Sequence, residues 1–515
     1  MHEIAFVLAM LAVVAALVLL ANRLDLPYPI LLVLGGLTLG FMPGVPEIEL
    51  DPEIVFLVFL PPLLYWDAVT TSWRDFRANL QPIASLAIGL VVATTCGVAV
   101  VAHYLLDLSW GVGFVLGSIV AATDAVATGS IARRLGVPPR IVAILHGESL
   151  VNDATALVVY GTAVGAVVSG SFSLTHATVE FVLVCAGGVA IGLVVGWLIL
   201  WLRRRIDDNR VEGLMSLLTP FAAFLPAHEL GVSGVLAAVA AGLYLGRHAP
   251  IAVSPTVRLR ATAVWELGTF VVNGLVFILI GLSFQHILDG IESHSVASLL
   301  WDSLVIGTSV IALRLAWVFL GGFLAHLSLS ERGVIGWAGL RGVIALATAL
   351  ALPTRTERGP FPDRDLVLFL TFAVILITLV GQGLSLPWLI RRLGLVGQDP
   401  TEREEARARL VGTRAALRYL DDLADRGEVT SELLDELRGR YERRASRVPG
   451  AVGPDVEEYA RTARAVRRDL LATEHRALVK LRDRGAIGDE TLRRIQQELD
   501  LEQVRLDPDL HGRSS

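Results

Sequence analysis

Long unbroken apolar runs, not alternation, set the pattern of this chain. About thirteen of them lie near 2–21, 27–43, 50–67, 80–104, 110–132, 140–167, 176–203, 211–228, 232–247, 261–288, 297–325, 333–353 and 364–390. A helix needs about 20 apolar residues to cross about 30 Å of hydrocarbon. Only helices and closed barrels satisfy their own backbone there, and runs this continuous predict helices. After about residue 395 charges dominate and leucines recur at helical spacing, which predicts amphipathic helices near 401–425, 430–445, 455–484 and 488–503. The expected organisation is an all-α membrane domain over 1–395 and a water-exposed helical domain over 396–515.

Composition agrees: 54% of residues are hydrophobic and the mean hydropathy is +0.61, above the 45–50% apolar content of soluble domains. A net charge of −6 names no partner, and the expectation is that the chain binds no nucleic acid. Charge placement carries more. Arg23, Arg74, Arg77, Arg133, Arg134, Arg140, Arg203, Arg204, Arg205, Arg210, Arg247, Arg258, Arg260, Arg332, Arg391 and Arg392 fall on one side of a thirteen-span arrangement. Arg355, Arg358 and Arg364 fall on the other, diluted by Glu357, Asp363 and Asp365. Basic loops stay inside, so the predicted N-terminus is outside and the tail cytoplasmic. The first run lacks a basic leader and a small-residue cleavage site, and is read as a retained helix. Cys96 and Cys185 fall within apolar spans and predict neither a disulfide nor a metal site.

Four spans carry charges near their middles that a membrane penalises by at least about 2.5–3.5 kcal/mol each. Asp124 lies near the middle of the fifth, among the small residues of Ala122-Thr123-Asp124-Ala125, which allow close helix approach or local unwinding. The sixth reads His146-Gly147-Glu148-Ser149-Leu150-Val151-Asn152-Asp153. At about 100° per residue Glu148, Ser149, Asn152 and Asp153 share one arc of about 140°, a polar face on an otherwise apolar helix. In the twelfth, Arg341 stands between Gly339 and Gly342, where the backbone is free to break, and Arg314 adds a second buried cation in the eleventh. One such charge is commonly a satisfied structural group. A cluster of three carboxylates, an amide, a hydroxyl and two arginines points to a substrate path. His146 and His103, alone near span ends, read as hydrogen-bonded spectators.

At these residues the chain resembles Na+/H+ exchangers of the monovalent cation/proton antiporter superfamily, in the bacterial and archaeal branch related to the animal exchangers. Thr123-Asp124, Gly147-Glu148-Ser149-Leu150-Val151-Asn152-Asp153 and Gly339-Leu340-Arg341-Gly342 carry the likeness. Leu60-Pro61-Pro62-Leu63-Leu64-Tyr65-Trp66-Asp67-Ala68, Trp265-Glu266 and the run from Asn273 to Gly281 extend it across the membrane domain in order. The resemblance implies a homodimer of thirteen-helix protomers with inverted repeats, in a bacterial inner membrane. Two broken helices, the fifth and twelfth spans, would cross near the site. It implies no catalytic residues and no cofactor, with Na+ and H+ as transported species. Carried over residue by residue, Asp153 would host cation and proton, Asp124 would be a second carboxylate, Thr123 would offer its carbonyl and Ser149 its hydroxyl. Glu148 would pair with a buried arginine, Arg314 favoured over Arg341, and would touch the ion through water. Arg341 would then steady the broken twelfth span, and Asn152 would hold the crossing region.

The chemistry is consistent with that role. Na+ is a hard cation that prefers oxygen ligands, as Ca2+ and Mg2+ do. A buried carboxylate is costly to ionise, so it holds a proton until a cation replaces it. Asn152-Asp153 supplies one carboxylate where electrogenic relatives have two, and the tenth span has no lysine, which predicts electroneutral 1:1 exchange. K+ or Li+ in place of Na+ is the nearest alternative. An intramembrane aspartyl protease would leave Glu148, Asn152 and the arginines unexplained. An ion channel would require a ring of ligands around a symmetric pore.

Overall fold

The computed structural model describes residues 2–24, 26–42, 55–206, 208–252, 255–289, 291, 295–324, 327–356, 359–397, 401–426 and 430–445, with isolated residues between 470 and 499. The chain divides into two compact units, Met1–Gln398 and Asp399–Ser515.

The first unit is almost wholly helical. In chain order its helices are α1 (His2–Leu24), α2 (Tyr28–Gly40), α3 (Val55–Thr70), α4 (Trp73–Ala78), α5 (Leu80–Leu106), α6 (Trp110–Ala121), α7 (Ala125–Arg134) and α8 (Pro139–Ser169). They continue with α9 (Leu174–Arg203), α10 (Asn209–Glu229), α11 (Gly234–Ala252), α12 (Pro255–Leu282), α13 (Phe284–Asp289), α14 (Val296–Leu324), α15 (Leu329–Trp337), α16 (Val343–Leu350) and α17 (Arg364–Arg392). A two-residue hairpin, Arg355–Thr356 with Gly359–Pro360, links the last two. Helix covers part of each of the thirteen predicted stretches. Among the described residues, eight helical stretches are long and apolar enough to cross a membrane; the others are shorter, broken or more polar.

Several boundaries differ from the sequence reading: α11 runs on to Ala252 and α12 starts at Pro255, each five or six residues beyond the predicted limits. The stretch predicted as one helix over 261–288 ends at Leu282 and restarts at Phe284. The predicted helix over 50–67 is described from Val55 and runs on to Thr70.

Small residues let the helices approach closely. A methyl group at Gly117 in α6 would lie 2.9 Å from the Thr95 Cα in α5, and one at Gly281 in α12 would lie 2.7 Å from the Gly36 carbonyl carbon in α2. Backbone-to-backbone packing of this kind replaces the hydrophobic driving force that lipid removes.

The fifth and twelfth spans are interrupted where sequence reading placed them. Residues 122–124 separate α6 from α7, and 338–342 separate α15 from α16. The two breaks bond to each other: the Asp124 N–H donates to the Leu340 carbonyl at 2.8 Å, and the Thr128 hydroxyl to the Ala338 carbonyl at 3.3 Å. Within α17 a single π-helical segment, Ile377–Gln382, presents Thr378, whose hydroxyl accepts from the Arg341 N–H at 3.1 Å. Backbone groups freed from helix at membrane depth thus find partners in protein.

The second unit contains α18 (Thr401–Arg426) and α19 (Ser431–Ala445), with an Arg438–Asp421 ion pair between them. The helices expected over 455–484 and 488–503 fall on residues outside those described, isolated positions apart.

Candidate functional site: a buried carboxylate cavity

The long helix α8 positions most of the polar groups. It starts on Pro138-Pro139, where a missing N–H costs nothing, and ends on Gly170, whose positive φ of 68° closes it. Between these ends it carries Glu148 (1% exposed), Ser149, Asn152 and Asp153 (2% exposed) on its inward face.

Glu148 is neutralised locally. Both of its oxygens accept from Arg314 in α14, Oε2 from Nη2 at 2.9 Å and Oε1 from Nη1, in a bidentate pair. Arg314 has no exposed surface. It also donates through Nε and Nη2 to the Ile335 carbonyl, at 3.2 and 3.0 Å, near the C-terminal end of α15 where helical carbonyls run out of partners.

Thr123 is latched to α8 by three residues. Its N–H donates to the Asn152 Oδ1 at 3.3 Å, its Oγ1 accepts from the Asn152 Nδ2 at 2.6 Å, and its carbonyl accepts from the Ser149 hydroxyl at 3.0 Å. The Thr123 hydroxyl in turn donates to the Glu148 Oε1 at 3.3 Å. Asn152 therefore spends its amide on the break in the fifth span.

Arg341 serves the backbone. Its Nε donates to the Val120 carbonyl at 2.9 Å, and its Nη1 bonds the Gly339 carbonyl. Of the two buried arginines, the one that meets Glu148 is Arg314, and Arg341 ties the end of α6 to the broken twelfth span.

That leaves two carboxylates. Asp124 caps α7, with its Oδ1 accepting from the Val126 N–H at 2.7 Å. The Asp153 Oδ1 is buried and has no hydrogen-bond partner among the described residues. No described cation forms an ion pair with either. Both line one cavity with Thr123, Ser149, Asp67 of α3 and Asn273 of α12. An unpaired carboxylate in such a place is costly unless something neutralises it. A monovalent cation or a proton meets that requirement, and the hydroxyl and amide oxygens in the same wall suit a hard cation.

Asp67 and Asn273 were not assigned a role from sequence, although both stand within the runs that carry the resemblance. Nothing local marked them. Asp67 lies three residues from the end of α3, where an acidic side chain reads as facing water, and only the packing of α3 and α12 brings the pair to the cavity wall. His103, read as a spectator, has its Nδ1 2.8 Å from the Leu108 carbonyl, away from this cavity.

The sequence profile of the family described as sodium/hydrogen exchanger, transmembrane, matches residues 9–392. An uncharacterized Na+/H+ exchanger of Mycobacterium tuberculosis is 37% identical over 97% of this chain and 95% of its own length. A sodium, potassium, lithium and rubidium/H+ antiporter of Bacillus subtilis is 31% identical over 96% of this chain and 77% of its own. The sodium proton antiporter MjNhaP1 of Methanocaldococcus jannaschii shares the fold, with a TM-score of 0.63 at 21% identity over 77% of this chain and 99% of that one. Ordered motifs, two interrupted helices bonded at their breaks, a family profile over residues 9–392 and relatives matched along most of their length lead to one assignment: the chain is a multi-pass membrane protein of the sodium/hydrogen exchanger family, within the cation/proton antiporters.

Proposed function

We propose that this chain exchanges Na+ for H+ in a 1:1, electroneutral cycle, with Asp153 as the group that both ligands compete for. The buried, unpartnered Asp153 Oδ1 carries the reading. Asp124, the Ser149 hydroxyl and the Thr123 carbonyl complete the cation site. Glu148 with Arg314 mounts α8, while Asn152 and Arg341 hold the crossing. A carboxylate that is neutral when loaded with either ligand crosses a low-dielectric barrier more easily than a bare one. If only loaded forms change sides, exchange is obligatory.

Three features support an electroneutral cycle. Glu148 is matched by Arg314, residue 152 is an amide consumed by Thr123, and the chain's only lysine, Lys480, lies in the second unit. Asp124 and Asp67 share the cavity wall; in this proposal they keep one charge state through the cycle, and Asp153 alone exchanges its proton for the cation. We place the chain in a bacterial inner membrane as a homodimer, N-terminus outside and tail cytoplasmic, working in pH and sodium homeostasis. The arginine distribution supports the orientation. Potassium and lithium are the nearest alternative cargoes, given the named substrates of the Bacillus relative.

The test is exchange in everted vesicles, read by dequenching of a pH-sensitive dye with Na+, Li+ and K+ compared. Na+ is expected to give the largest signal. In proteoliposomes the Na+-driven rate is expected to stay unchanged when a potassium diffusion potential of either sign is imposed. A rate that follows the imposed voltage would exclude the 1:1 cycle.

A further inference from the structure

The glycines flanking Arg341 invite reading as hinges, yet neither has a left-handed φ; Gly342 sits at φ −151°. What they lack space for is a side chain. A methyl at Gly339 would lie 2.6 Å from the Arg314 Nε and 2.7 Å from the Arg341 Nη1. A methyl at Gly342 would lie 2.8 Å from Cγ and 2.9 Å from Cβ of Asp124, and closer still to its Oδ2. Non-bonded carbon atoms rest at about 3.5–4.0 Å.

We infer that Gly342 is a positioning residue for cation binding: its bare Cα is the surface against which the Asp124 carboxylate is seated beside Asp153. Asp124 cannot step aside freely. Its N–H is held by the Leu340 carbonyl at 2.8 Å, and its Oδ1 by the Val126 N–H at 2.7 Å. Any β-carbon at 342 therefore moves a cavity oxygen or breaks the cap of α7. Gly342 lines the same cavity. This rests on the proposed cation role of Asp124, and it assigns to the twelfth span a part in the site that touches no ion.

The test is Gly342→Ala in proteoliposomes, with apparent KM for Na+ and maximal rate measured at one fixed pH. Gly381→Ala, where a methyl meets nothing within 4 Å, is the control and is expected to match wild type. For Gly342→Ala the expected result is a KM raised about tenfold with the maximal rate nearly unchanged, the signature of lost ground-state binding. A KM within threefold of wild type would overturn the inference, whatever the maximal rate, and would leave the exchange mechanism intact. If Gly342→Ala yields no monodisperse protein, Asp124→Ser is added to it. The smaller side chain makes room for the methyl and is expected to restore a folded protein, and failure to restore it would also overturn the inference. Exchange surviving in Asp153→Asn would refute the underlying function instead, so the two failures are separable.

Discussion

Replacing Asp153 by asparagine is expected to reduce exchange of Na+, Li+ and K+ alike to the background of empty vesicles. The side chain keeps its shape but loses the ability to ionise, so it neither takes up a proton nor balances a cation. The protein is expected to remain folded, and at least as stable as wild type. The Asp153 Oδ1 makes no hydrogen bond that the substitution would break, and removing an unpaired buried charge removes a desolvation penalty. Transport and thermal unfolding measured on the same preparation separate this from mere misfolding. Residual exchange of any one cation would place the proton carrier elsewhere.

The second large effect concerns the mount of α8. Glu148 and Arg314 form a bidentate pair with essentially no exposed surface. Removing one partner from such a pair strands a buried charge and costs about 3–5 kcal/mol. Arg314→Met is therefore expected to unfold at a markedly lower temperature than wild type. Glu148→Leu placed on top of it is expected to recover most of the loss, because an apolar replacement of both partners is often close to neutral. Recovery is expected to be incomplete. Arg314 also satisfies the Ile335 carbonyl, and an orphaned buried acceptor costs about 1–3 kcal/mol. A double variant no more stable than Arg314→Met alone would mean that the pair is not what holds α8 to α14.

Much of this site was legible in the sequence, for reasons that are local. Helical geometry alone put Glu148, Ser149, Asn152 and Asp153 on one arc of α8, and all four are buried there. Charges inside apolar runs marked Asp124, Arg314 and Arg341, since a membrane tolerates few groups of that kind without a purpose. Glycines and small residues pointed to both interruptions. What was not local was not legible. Either arginine was chemically able to meet Glu148; the choice depends on how α14 lies against α8. The four bonds between Thr123 and α8 link residues more than twenty positions apart. Asp67 and Asn273 reach the cavity only through helix packing. The reason for Gly342 was misleading from sequence, because glycine suggests a flexible backbone and the structure uses it for close approach.

Competition at one carboxylate is most directly tested by counting protons. Purified protein in weakly buffered detergent solution, poised at a pH where Asp153 is protonated, is titrated with NaCl while released H+ and bound Na+ are both measured. The account predicts about one proton released per Na+ bound, and neither event in Asp153→Asn. Sodium binding that releases no proton, or release that persists in the variant, would contradict it.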